Sequence, residues 1–160
     1  AVVDYVAGYL ASYMRSTLLE IEAVAADQGL SPGTAMDLLE KLLGKMCDFI
    51  VGSQDAARFA RIILREHLVP SSAYDIIFSR IMSPFLSAGS HMIAVISGKP
   101  PGRETSLRAF ALFGQIMAFR IARETVVRAL DFEGYSATET EEIRGIILEQ
   151  ARAALNRGQP

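Results

Sequence analysis

Between residues 105 and 130 the chain is apolar almost all the way round a helix, and no other stretch constrains the fold as strongly. Leu107, Phe110, Gly114, Met117, Ile121, Thr125 and Ala129 recur at spacings of three or four. Ala109, Leu112, Phe113, Ile116, Phe119, Val126 and Val127 fill much of the remaining circumference. A helix that buries one stripe in its own domain keeps an opposite polar face. Lacking one, this helix either runs through the middle of a domain or serves its own core on one side and a second subunit on the other. Gly114 and Ala118, one turn apart, let another helix approach closely. Glycine lowers helix propensity by about 1 kcal/mol relative to alanine, so packing must compensate at Gly114. The architecture implied is a helical domain that dimerises through its last helices.

At 160 residues the chain is long enough for one domain with a proper core. Hydrophobic residues make up 51% against 21% charged, an apolar excess that favours an oligomer or an internal pocket over a solvated bundle. Arg15, Glu20, Arg65, Arg80 and Arg120 interrupt every apolar run before it reaches bilayer length. The net charge of −2 gives these residues no electrostatic footprint for nucleic acid. Cys47 is the only cysteine, so no disulfide forms within the chain, which suits a cytoplasmic protein. Ala1-Val2-Val3-Asp4-Tyr5-Val6 is already in helical register, with no capping residue and no signal-peptide pattern. A further segment upstream is therefore expected.

Glycines, prolines and capping residues divide the chain into about six helices and leave no credible strand. The first is expected from Val2 to Ala26, ended by Asp27-Gln28-Gly29. Ser31 followed by Pro32 caps the second, which Gly52 stops. The third begins after Ser53 and ends before Pro70. Ser72 and Asp75 resemble a capping box for the fourth, which runs to about Ser97 with a kink at Pro84. The Gly98-Lys99-Pro100-Pro101-Gly102 loop precedes the fifth, and Ser136 to Glu139 forms an S-x-x-E box opening the sixth. That last helix places Ile143, Ile147, Gln150 and Ala154 on one stripe. With Phe110, Gly114, Met117, Ala118, Ile121 and Thr125 of the fifth, they make the expected dimer interface.

Catalytic constellations are scarce. Neither histidine has metal-ligand spacing, and there is no phosphate loop and no serine in a nucleophile elbow, so an enzyme is not expected and no metal or cofactor is called for. Two charged clusters stand out in apolar surroundings, Arg65-Glu66-His67 and Arg120 with Arg123-Glu124. On one reading Glu124 simply pairs with Arg128 or Arg120 a turn away, worth a few tenths of a kcal/mol. On the sharper reading Arg65, Glu66, Arg120, Arg123 and Glu124 include an ion pair buried between the two helices.

The order and spacing of Leu64-Arg65-Glu66-His67-x-x-Pro70-Ser71, Tyr74-Asp75, the Gly-Lys-Pro-Pro loop, Leu112-Phe113-Gly114-Gln115 and Phe119-Arg120-x-x-Arg123-Glu124 resemble the carboxy-terminal domain of TetR-family transcriptional regulators, in the CecR-like branch. The resemblance covers nearly the whole chain. It implies that residues 1–160 form one ligand-binding and dimerisation domain, with an amino-terminal helix-turn-helix preceding it and the first helix connecting the two. It further implies a homodimer, a small apolar or amphipathic effector, and operator DNA contacted only through the preceding segment, the effector releasing a repressor. Met46, Phe49, Phe59, Ile63, Phe78, Met82, His91, Met92, Gln115 and Phe119 fall on faces that can converge on a pocket, although each also serves as plain core packing. Gln115 is singled out because an amide in so apolar a helix needs partners. The competing reading is a ligand-free helical scaffold whose apolar stripe binds another protein.

Overall fold

The computed structural model describes residues 2–26 and 29–156, and among them every regular element is helical. In chain order these are α1 (Val2–Ala25), α2 (Pro32–Ile50), α3 (Gln54–Leu68), α4 (Tyr74–Ile77), a π-helical turn (Phe78–Met82), α5 (Ser83–Ser97), α6 (Arg103–Ile121), α7 (Arg123–Leu130) and α8 (Ala137–Asn156). The six expected runs are present, and the fourth and fifth are interrupted. Ala1, and Asp27 and Gln28 of the first turn, lie outside the described residues.

Three of the predicted starts follow from local chemistry. The Ser31 Oγ accepts the Thr34 amide at 3.1 Å, and Pro32 occupies an early helical position where a missing N–H leaves no acceptor unserved. The Ser53 Oγ accepts the Asp55 amide at 3.1 Å. At α8 the Ser136 amide donates to Glu139 at 3.0 Å and the Thr138 amide to Ser136 at 3.2 Å. The Ser72–Asp75 box does not form. Ala73 precedes α4 with helical dihedrals (φ −73°, ψ −18°), whereas a side-chain cap needs an extended residue. Ser71 holds this corner instead, donating its amide and hydroxyl to the Glu66 carboxylate at 3.1 and 2.8 Å.

Both interruptions have visible geometry. The kink expected at Pro84 is taken up one turn earlier, where the Ser83 amide bonds back five residues to the Phe78 carbonyl. The 105–130 helix is not continuous. It breaks at Ala122 (φ −96°, ψ 25°), between Arg120, which reaches across to α2, and Arg123, whose guanidinium lies over the Tyr135 ring at 5.6 Å.

α2 is the centre of the bundle, packed by α1, α5, α6 and α8, with Leu39, Leu42, Leu43 and Cys47 fully enclosed. Burial, reinforced by Asp48, pushes the Cys47 thiol up to about 11, so it stays protonated and inert. α8 is tied to α2 by Arg152, which donates to both Glu40 oxygens at 2.9 and 2.6 Å, and by Arg144, 3.5 Å from Asp48. Ile143 and Ile147, expected at a subunit interface, are 5% and 1% exposed within the chain's own core. The stripe they define is needed to cover α2, so they are not free for a second subunit. Gln150 and Ala154 remain exposed beside them.

The expected ion pair between the third helix and the Arg120–Glu124 segment does not form. Glu66 bonds Ser71, Glu124 pairs with Arg128 inside α7 at 2.7 Å, and Arg120 bonds carbonyl oxygens. The helices are bridged elsewhere, by Glu20 with Lys41, by Asp4 with Arg80 at 2.6 Å, and by the two α8 arginines. Each of these surface pairs is worth about 0–1 kcal/mol.

Candidate functional site

A cleft of about 510 Å³ runs between α3 and α6. α3 gives it a whole stripe at helical spacing, Ala56, Phe59, Ala60, Ile63, Leu64 and His67. α6 supplies Phe110, Phe113, Gly114, Met117, Ala118 and Ile121. Leu10 and Met14 of α1, Met46 and Phe49 of α2, and Ile81, Met82 and Phe85 around the π-helical turn complete the walls. The gap is open because the facing positions are small. Ala56 and Ala60 line it from α3, Gly114 and Ala118 from α6, and a Cβ built on Gly114 would meet no atom within 4 Å. α3 is anchored lightly, with only Ala56 and Glu66 buried along its length.

Among the side chains lining this cleft only His67 and Arg120 are polar. The His67 Nδ1 lies 2.7 Å from the Ile63 carbonyl, and its ring meets Tyr74 edge-on at 5.5 Å. Arg120 closes the carboxyl end of α2, its Nε donating to the Ile50 carbonyl at 2.7 Å and its Nη2 to the Val51 carbonyl at 2.8 Å. These are helix-end carbonyls with no intrahelical partner, which a cation satisfies well. Burial, and then the charge of Arg123, pull the Arg120 guanidinium below its usual range, yet it remains a cation. On its other side Arg120 borders an open, polar recess of about 650 Å³ between the α2–α3 turn and the α7–α8 loop. There the Tyr135 hydroxyl donates to the Phe119 carbonyl at 2.8 Å, and burial raises its pKa.

Five of the ten residues expected to converge on a pocket are brought together in the cleft, namely Met46, Phe49, Phe59, Ile63 and Met82. The other five lie outside its lining. Phe78 is exposed on the π-helical turn, His91 is half-buried on α5, and Met92 is fully enclosed in the core. Gln115 and Phe119 sit on another side of α6, and the Gln115 Oε1 is buried without a hydrogen-bond partner among the described residues. Conversely Phe110, Gly114, Met117, Ala118 and Ile121, expected at a dimer interface, line the cleft, while Thr125 is exposed on α7. Because α6 is apolar on both sides, periodicity cannot say which side meets which neighbour. Leu10, Met14, His67, Ile81, Phe85, Phe113 and Arg120 were not singled out for a pocket. The α3 stripe ending at His67 was the signal available for one of them.

Such a cleft can bind, and it holds no paired nucleophile and base for chemistry. Among the described residues no cluster of three or more His, Cys, Asp or Glu side chains gathers, and no helix is long and apolar enough to cross a membrane.

Comparison with known proteins matches residues 35–157 to a family described as the C-terminal domain of the HTH-type transcriptional dual regulator CecR. A curated relative of that name from Shigella flexneri is 24% identical over 142 residues, covering 88% of this chain and 63% of the relative. The chain thus spans less than two thirds of that relative's length. With the match extending from α2 to the end of α8, the chain belongs to the family of CecR-like carboxy-terminal domains of TetR-family transcriptional regulators.

Proposed function

We propose that the α3–α6 cleft is the effector site of a transcriptional regulator, that its occupant is a small apolar or amphipathic molecule, and that occupancy releases a repressor from DNA. The observation that carries this reading is the unfilled apolar cleft of about 510 Å³, within the size range of small-molecule pockets. Operator recognition falls to a helix-turn-helix segment preceding residue 1. Dimerisation falls to the exposed stripes of α6 and α8, where Leu107, in line with Phe110 and Gly114, is 60% and Ile146 46% exposed and where Gln150 and Ala154 lie. A two-fold dimer presents two DNA-reading heads to a palindromic operator with half-sites a helical turn apart. An effector needs only about 1.4 kcal/mol of differential affinity for one arrangement to change occupancy tenfold.

A thermal-shift screen of apolar and amphipathic compounds tests the site. Ligand at a hundredfold excess over Kd stabilises the folded chain by about 2.7 kcal/mol. Gly114→Leu fills the cleft where there is open space, and is expected to abolish the shift while the chain stays folded. A shift that survives Gly114→Leu, or no shift with any compound class, removes the sensor reading. Sedimentation tests the dimer independently: a monomer at micromolar concentration would overturn it.

A further inference from the structure

Resting on the reading of the α3–α6 cleft as a ligand site, we infer that its occupant is an elongated apolar molecule ending in a single anionic group, with that group held by Arg120. Among the described residues the cleft has no acidic side chain in its lining, and its two polar side chains, Arg120 and His67, are both basic. They stand toward opposite ends. Arg120 grips the carbonyls of Ile50 and Val51, just before α3 begins at Gln54, whereas His67 is in the last turn of α3. Thirteen residues of helix separate Gln54 from His67, about 20 Å at 1.5 Å per residue. Between the two ends the walls offer only hydrocarbon, aromatic rings and thioether sulfur, which suits an unbranched or narrow apolar body and leaves a mid-chain polar group without partners.

Arg120 is prepared for an anion. Two of its nitrogens are fixed on backbone carbonyls, which hold the guanidinium plane in place. Among the described residues its Nη1 makes no hydrogen bond, so donors are left over on a side chain that lines both the cleft and the polar recess beside it. A carboxylate, sulfonate or phosphate monoester arriving there replaces water on a half-buried, pre-oriented cation, the geometry in which charge-assisted hydrogen bonds are strongest. A cationic amphiphile entering the same cleft is desolvated beside a fixed positive charge with no carboxylate among the described residues of the cleft lining to offset it.

Calorimetric titration of the chain with three probes sharing one tail, dodecanoate, 1-dodecanol and dodecyltrimethylammonium, separates the head group from the cleft. Dodecanoate is expected to bind at least tenfold more tightly than dodecanol, with the ammonium weakest. In Arg120→Gln, dodecanoate affinity is expected to fall to that of dodecanol while dodecanol is unchanged. His67→Gln is expected to leave the preference intact. The ligand series on the unaltered chain stands even if Arg120→Gln fails to fold. Dodecanol binding as tightly as dodecanoate, or the ammonium binding most tightly, overturns the anionic head group and leaves the cleft as a site. Binding of none of the three, or binding unaffected by Gly114→Leu, overturns the cleft itself.

Discussion

Two glycines on the flanks of α6 face opposite circumstances. At Gly89, on α5, a Cβ would come within 2.9 Å of the Phe113 ring and 3.1 Å of the Ala109 Cβ. At Gly114, on the cleft side of α6, a Cβ would meet nothing within 4 Å. The first glycine is there because α5 and α6 press together, and the space its side chain would need is taken by an aromatic ring. The second leaves space that none of the described residues fills. The same contrast separates the α2–α5–α6–α8 core, where side chains such as Leu43, Ile93 and Ile116 are fully enclosed, from α3, which buries only Ala56 and Glu66. Tight packing on one flank of α6 supports an opening on the other, and that opening is where a ligand can act with little cost to the fold.

The junction between the two regions is Arg120, and breaking it should have the largest effect. Arg120→Met leaves the Ile50 and Val51 carbonyls without their charged donor. A loss of about 2–4 kcal/mol is expected, read as a lower urea midpoint at unchanged slope. Next is the packed flank. Gly89→Ala forces Phe113 or Ala109 to shift, and the overpacking exceeds the gain in helix propensity, for a net loss of about 1–2 kcal/mol by the same measurement. The opposite sign is expected across the helix. Gly114→Ala adds a methyl to open space and a better helix former, stabilising by about 0.4–1 kcal/mol. Equal signs for the two alanine variants would erase the distinction between the flanks.

The smallest effect concerns the corner that ends α3. The Ser71 hydroxyl, then its amide, hold the Glu66 carboxyl below its usual range. Its contribution is therefore fully present above the unfolded carboxylate pKa and is lost as pH falls through the lower folded value. Glu66→Gln should flatten the acid limb of a stability-versus-pH curve without altering the neutral plateau's slope. An unchanged acid limb would mean that this contact does not stabilise the folded chain.

Legibility in the sequence followed the range of the interaction. Ser31-Pro32, Ser53 and Ser136-x-x-Glu139 announce helix starts because donor and acceptor lie within three residues of each other. Failure came at one step beyond local pattern. Ser72-x-x-Asp75 has a similar spacing, but Ser71 is engaged with Glu66 five residues back and the helix begins elsewhere. For the site, Met46, Phe49, Phe59, Ile63 and Met82 were legible as apolar faces able to converge. Gly114 and Ala118, two of the small residues that open the cleft, were visible too and were assigned to close helix approach, since a small side chain permits either contact or space; Ala56 and Ala60 were not singled out.

What the sequence determined by itself is therefore the helical class, the family and most helix limits, all of which rest on spacings of three to four residues, caps and order along the chain. The tertiary structure alone decided which side of α6 faces α3, that Ile143 and Ile147 cover α2, and that Arg120 serves carbonyls instead of a carboxylate. A helix apolar on every side carries no polar face to fix its rotation, and a half-buried arginine has many acceptors within reach. Only the arrangement of the neighbouring helices selects among them.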